Sequence, residues 1–411
     1  MELGWIDFTK SDRDRAIEAL KLIRGQNGVD ELGVASFRDG FADFLFPGTS
    51  TLHTRAKYFL IVPYAIQTVI ECASTSKEAL ELLYEIERQS CYCMNSARDG
   101  ENGIIGSDLL NSGKWVKSAP SSIYWSALRR YNIIKTNFSV SGFLAKAIKS
   151  SKKEKVQGST KDKREQKIYG TPNVDVLTSS DLLPMEIRAL MKEHWHFVGK
   201  KSCEIKDLKI KLTSLEAGFL KKKIIESCKG SLFAVLLENN VDLSNVDSVQ
   251  ALSSKIEAIE LSEEIKRALE LSEKFSRLVG SLRCCFDEII KANKEDRKPD
   301  FEWDKIKNHG LSANDVDEIR CLLSLEHSLR AEKLVEFSKK AIECIESKNG
   351  EELTDLIKER EYSLKGSRAK TSHKELCVDD RQYGGSQEGL TYRFGYLKQI
   401  IMDILEGEKN V

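Results

Sequence analysis

Six prolines in 411 residues constrain this chain more than any other feature, because average usage of about 5% would place roughly 20. Proline removes a backbone donor and clashes with the preceding helical turn. A long chain nearly free of it, with 31% of its residues charged, is therefore expected to be mainly α and multi-helical. Its 41% apolar residues supply cores for about two to three domains and exclude disorder throughout.

Charge separates the remaining classes. Lysine plus arginine and aspartate plus glutamate both total 64, so no global field favours a polyanion and any nucleic-acid surface must be a local patch. The apolar runs Phe59 to Ile66 and Leu232 to Leu237 fall far below the roughly 20 residues that span a bilayer. The Met-Glu start has no basic or apolar leader pattern. No membrane association and a cytoplasmic location are expected. The ten cysteines, at 72, 91, 93, 203, 228, 284, 285, 321, 344 and 377, lie mostly in helical patterns and read as free thiols.

Periodicity places helices at Asp12 to Arg24, Phe37 to Phe46, Thr49 to about Cys72 with Thr49-Ser50-Thr51 as caps, and Ser76 to about Met94. From Lys146 to Lys167 there are nine Lys/Arg against three Asp/Glu and almost no apolar residues, the pattern of a solvated tether. This gives an N-terminal helical domain at 1–147, a basic linker at 148–168 and a C-terminal helical domain at 169–411. In the last, helices are expected at Leu182 to Trp195, Ser214 to Cys228, Ser231 to Glu238, Val246 to Ile259, Ser262 to Lys291, Ala313 to Lys348 with a break, and Gly395 to Glu406. Short strands fit near Ile105 or Ile133. Ser363 to Thr391 is polar and aperiodic, and connections that long are usually functional or disordered.

Three constellations could carry chemistry. Asp39 and Asp43 lie one turn apart on a helix face, where unpaired carboxylates repel; with Arg55 they fit a metal site or acid/base pair, or else a structural network with Arg38 or Arg55. Thr49, Ser50 and Thr51, followed by Arg55 and Lys57, fit a phosphate cradle or ordinary capping. The third runs from Gly103 through Lys114-Trp115-Val116-Lys117 to Pro120-Ser121-Ser122-Ile123-Tyr124-Trp125-Ser126-Ala127-Leu128-Arg129-Arg130. A short helix, a basic turn and a capped helix ending in Arg-Arg have the proportions of a helix-turn-helix or winged-helix-like unit. Ser121, Ser122, Tyr124 and Ser126 would then face bases or phosphates, while Lys114, Lys117, Arg129 and Arg130 neutralise phosphates. The bland counterpart is a helical hairpin packing Ile123, Trp125 and Leu128. Linker lysines such as Lys152, Lys153 and Lys155 could extend the path, each adding about one unit of salt slope.

Other signals are weaker. His194-Trp195-His196 with Cys203 resembles a metal cluster, but alternate residues on a helix diverge and zinc needs four converging ligands. No metal or cofactor is expected. Walker, Gly-x-Ser-x-Gly, His-Glu-x-x-His and dinucleotide motifs are absent from the sequence.

Gly4-Trp5-Ile6-Asp7-Phe8, the Phe-Pro-Gly-Thr-Ser-Thr block at 46–51, Pro120-Ser121-Ser122-Ile123-Tyr124-Trp125 and the closing Tyr392-Arg393 resemble an uncharacterised bacterial domain-of-unknown-function family. The resemblance spans the chain and implies an anti-phage defence setting beside helicases and nucleases, with no activity or catalytic residues to carry over. The leading expectation is a non-enzymatic DNA- or RNA-interacting subunit whose C-terminal helices dock a protein partner such as a helicase or nuclease of the same system. A metal-dependent nuclease on Asp39 and Asp43 and a pure structural scaffold are the alternatives.

Overall fold

The structure is a computed structural model that describes residues 32–97, 101–110, 112–157, 182–198, 202–306, 308–372 and 390–410. The expected helix at Asp12 to Arg24 and the Gly4 to Phe8 motif lie outside them. The fold is mainly helical. In chain order the helices are α1 (Ala35–Leu45), α2 (Tyr58–Cys72), α3 (Ser76–Ser96), α4 (Ser107–Leu110), α5 (Pro120–Arg130), α6 (Val140–Gln157) and α7 (Met185–His194). An antiparallel hairpin of β1 (Trp195–Val198) and β2 (Ser202–Ile205) follows. Then come α8 (Ser214–Ser227), α9 (Leu232–Glu238), α10 (Val249–Ile256), α11 (Glu263–Lys294), α12 (Trp303–Ile306), α13 (Ala313–Leu322), α14 (Leu329–Glu346), α15 (Gly350–Lys365) and α16 (Phe394–Lys409).

The chain forms two compact units, Met1–Phe41 with Lys266–Leu390 and Ala42–Ile265 with Thr391–Val411. Each is discontinuous in sequence, unlike the expected succession of 1–147, 148–168 and 169–411. The division falls within α1 and α11.

In the unit built on 42–265, α2 is the central helix. Every residue from Tyr58 to Ile70 is buried, as expected of a helix apolar on nearly all sides. Its neighbours include α3, α5, α6 and α7. The chain's last helix, α16, packs on α8 so closely that a Cβ at Gly407 would stand 2.8 Å from Leu212 Cβ and 2.9 Å from Ala217 Cβ. Only glycine permits that approach. α8 starts at a capping box between Thr213 and Glu216.

In the other unit, Phe37 meets Phe275 edge to face at 5.2 Å between centroids, within the favoured range for aromatic pairs. Ser312 and Asp315 form a capping box at α13, and Asp315 also accepts a hydrogen bond from Arg267 of α11 at 2.7 Å. The Arg360 guanidinium donates to Leu32 O at 2.9 Å and Gly33 O at 3.2 Å.

Several expectations change. The helix expected from Thr49 starts at Tyr58. Residues 148–157, read as linker, continue α6, because Phe143, Leu144 and Ile148 are buried and give that polar sequence one apolar face. Residues 158–168 lie outside the described ones. Ile105 and Ile133 are not in strands; Ile105 N donates to Tyr58 Oη at 2.9 Å, and Ile133 N to Leu128 O in the turn after α5. The segment from Ser363 begins as the end of α15 and two short 3-10 turns, Gly366–Arg368 and Lys370–Ser372, and 373–389 are outside the described residues. No helix among the described residues is long and apolar enough to cross a membrane.

Candidate nucleic-acid interface

The first cationic cluster is buried. Pro47-Gly48 ends α1, and Gly48 turns the chain at φ +81° with the Tyr131 ring against its α-carbon. Thr49 is buried, its Oγ1 donating to Phe46 O at 2.7 Å. Ser50 Oγ accepts from Leu52 N within the same turn, and Thr51 is exposed. Arg55 Nε donates to both Asp403 carboxylate oxygens at 2.9 and 3.0 Å, and Nη1 to Glu101 at 2.8 Å and Asn102 O at 2.9 Å. Asp403 also accepts from Ala56 N at 2.8 Å. Lys57 Nζ lies 2.7 Å from both oxygens of Glu216.

Burial lowers the Lys57 ammonium below its usual value despite Glu216. Burial also opposes the charge of Arg55, but the bonds to Asp403 and Glu101 outweigh it and raise the guanidinium. The Thr49, Ser50, Thr51, Arg55 and Lys57 phosphate cradle is therefore corrected. Arg55 and Lys57 are 4% and 3% exposed, and each already faces carboxylates.

The carboxylate pair is divided between different partners. Asp39 accepts from Arg38 Nε at 3.2 Å and Asp43 from Arg393 Nη1 at 2.6 Å. Their side chains are 45% and 65% exposed, and Arg55 is engaged elsewhere. Among the described residues no group of three or more His, Cys, Asp or Glu is placed to hold a metal. His194 ends α7 while Trp195 and His196 lie in β1, not on a helix as expected. The side chain of Cys203 is outside the described residues.

The third constellation is divided by burial. Ser121 donates to Glu87 through its backbone N–H and its hydroxyl, so a carboxyl group of α3 occupies the N-terminus of α5, where an anion would otherwise dock. Burial pushes the Glu87 carboxyl up to about 8, against the two Ser121 hydrogen bonds that favour its charge. Tyr124 is fully buried; its hydroxyl accepts from Thr54 N at 2.9 Å and Arg55 N at 3.1 Å and donates to Arg55 O at 2.9 Å. His53 stacks on Tyr124 at 4.5 Å, and burial takes its imidazole down to about 4.

Tyr124 thus clamps the 53–55 segment while Ser121 is held by Glu87, and neither faces solvent. What remains exposed is the stripe Ser122, Ser126, Arg129 and Arg130 on α5, with Lys114 and Lys117 in the segment leading into it. Arg130 Nη1 also donates to Ser227 O at 3.1 Å. The expected helix before the basic turn is a single turn, α4. The described hairpin follows α7 instead of α5.

α6 joins this stripe. Trp125 Nε1 donates to Phe138 O at 2.9 Å, and its ring meets Phe143 at 5.8 Å, which fixes the start of α6 against α5. Between Ser112 and Gln157 the sequence carries ten Lys/Arg and one acidic residue, Glu154. Lys135 and Lys149 are exposed, and Lys146 lies over the Phe138 ring. Lys152, Lys153 and Lys155 continue the helix, with side chains outside the described residues.

Sequence reasoning missed Glu101, Glu216 and Asp403 as the groups that decide which cations are available, and Glu87 as the carboxyl group that holds Ser121. Glu216 had a local signal, the Thr213-x-x-Glu216 capping pattern. Asp403 had one too, as a carboxylate within an apolar helical run.

The other unit holds an open groove of about 1170 Å³. Gly280, Ser281 and Cys284 of α11 line one side, with Lys291, Lys294 and Asp304 among its charged residues.

The model of a family of unknown function (DUF6361) matches residues 1–167. The exposed stripe of α5 and all of α6 lie within that match. No curated protein and no solved structure matches the chain.

Proposed function

We propose that the chain is a non-enzymatic nucleic-acid-interacting subunit that contacts phosphates through Lys114, Lys117, Arg129, Arg130 and the α6 lysines. The observation that carries this reading is the ten-to-one excess of basic over acidic residues from Ser112 to Gln157 in a chain of zero net charge. Solvated cations near a phosphate backbone release condensed counterions, which supplies sequence-independent affinity. The helix-turn-helix comparison is kept only as the exposed side of α5, with Ser122 and Ser126 beside the cations. The defence-locus resemblance suits this role, with a helicase or nuclease partner on the C-terminal helices. The groove along α11 supports the docking half of the reading.

Binding of labelled duplex DNA and duplex RNA at low salt tests the proposal. Binding is expected, with a marked loss in Arg129→Ala plus Arg130→Ala and none in Asp39→Ala plus Asp43→Ala. No binding of any nucleic acid, duplex or single-stranded, at low salt, or binding indifferent to the arginines, overturns it. The nuclease alternative predicts magnesium-dependent cleavage that disappears in the aspartate variants; the separate arginine partners of Asp39 and Asp43 favour a structural role instead.

A further inference from the structure

Phe138 is 43% exposed, although it stands in the position where a residue before a helix usually buries itself. Ser139 caps α6, its Oγ accepting from Gly142 N at 3.2 Å, so Phe138 and Phe143 occupy the two places of a hydrophobic staple. The structure covers Phe143 with Trp125 instead and leaves the Phe138 ring partly in water. The backbone of Phe138 is nevertheless held on both sides, its carbonyl by Trp125 Nε1 at 2.9 Å and its N–H by Thr136 Oγ1 at 3.2 Å. The Lys146 ammonium lies 4.8 Å from the ring centroid. Trp125, which holds the Phe138 carbonyl, is one helical turn from Arg129 on α5.

A flat apolar ring on a fixed backbone beside the Lys146 ammonium, in a stretch rich in lysine and arginine, has the chemistry of a stacking platform for an unpaired base. A duplex presents no free base face, so the ring adds nothing to duplex binding. We infer that the α5–α6 surface selects single-stranded nucleic acid, with Phe138 stacking a base and Lys146 moving from the ring to the adjoining phosphate. This rests on the nucleic-acid reading above and names its substrate class.

The test compares an oligothymidylate single strand with a duplex of equal length, by fluorescence anisotropy on the full chain. Phe138→Leu keeps apolar packing but removes the flat face, and Phe138→Trp restores it. The inference expects tighter binding of the single strand, a loss of roughly 5- to 150-fold for that strand alone in Phe138→Leu, and recovery in Phe138→Trp. Equal loss for both strands, or no loss while duplex binding persists, overturns this inference and leaves the phosphate-binding reading standing. Absence of binding to either probe by the unmodified chain overturns both. Thermal unfolding of each variant identifies a Phe138→Leu loss that is only structural: a lowered transition with equal loss for both strands counts against the stacking role.

Discussion

Two cationic regions lie in the same unit and behave oppositely. Arg55 and Lys57 meet Asp403, Glu101 and Glu216 in the interior, whereas Arg129, Arg130 and Lys149 stand in water in a stretch with one acidic residue among ten basic ones. The first region uses its charge to hold the start of α2 to α16 and α8. The second retains charge that a polyanion can use. A basic residue is a ligand candidate only when the fold has not already supplied its carboxylate.

The largest predicted effect breaks the buried half. Glu216→Leu leaves the Lys57 ammonium unpaired in the interior and should cost about 3–5 kcal/mol, read as a lowered denaturant midpoint. Adding Lys57→Met should recover most of that loss, since paired apolar replacements are often neutral. If Glu216→Leu alone is neutral, the pair is not the constraint described here.

Next comes the pH dependence set by Glu87. Its carboxyl is raised from the ordinary 4.5 to about 8 by burial. The folded state therefore keeps a proton that the unfolded chain releases. The contribution is fully present below about 4.5 and is lost as pH rises through about 8, at up to about 1.4 kcal/mol per pH unit. Glu87→Gln, which still accepts from Ser121 N, should flatten the decline across that window in unfolding measured at a series of pH values. An unchanged slope would mean Glu87 is ionised in the fold.

The smallest effect sharpens the exposed half. Asp39→Asn and Asp43→Asn remove solvent-exposed pairs and should each cost less than about 1 kcal/mol, with nucleic-acid affinity unaltered. A large loss of either stability or binding would place these carboxylates in a network the structure does not show.

The helices were legible where burial follows the helical period, as in the Phe37, Phe41 and Leu45 face of α1 and the long α11. α6 was hidden because its buried face is only a few residues, Phe143, Leu144 and Ile148, ahead of a lysine-rich half that reads as tether. α15 was missed for a related reason: its buried set mixes Leu353 and Ile357 with Thr354, Arg360 and Glu361, so polar composition concealed a packed helix. The cationic surface was partly visible through Arg129 and Arg130. Which cations were unavailable was not, because Arg55 finds Asp403 348 positions away and Lys57 finds Glu216 159 positions away. Ser121 and Tyr124 had the right chemistry for a nucleic-acid contact but the inward side of α5.

The salt dependence of nucleic-acid binding tests the central claim most directly, because its slope counts the phosphates that cations neutralise. Log affinity is expected to fall linearly with log salt for the unmodified chain, with a slope shallower by about two in Arg129→Ala plus Arg130→Ala. The same slope in both proteins, or no affinity at the lowest salt, would contradict it.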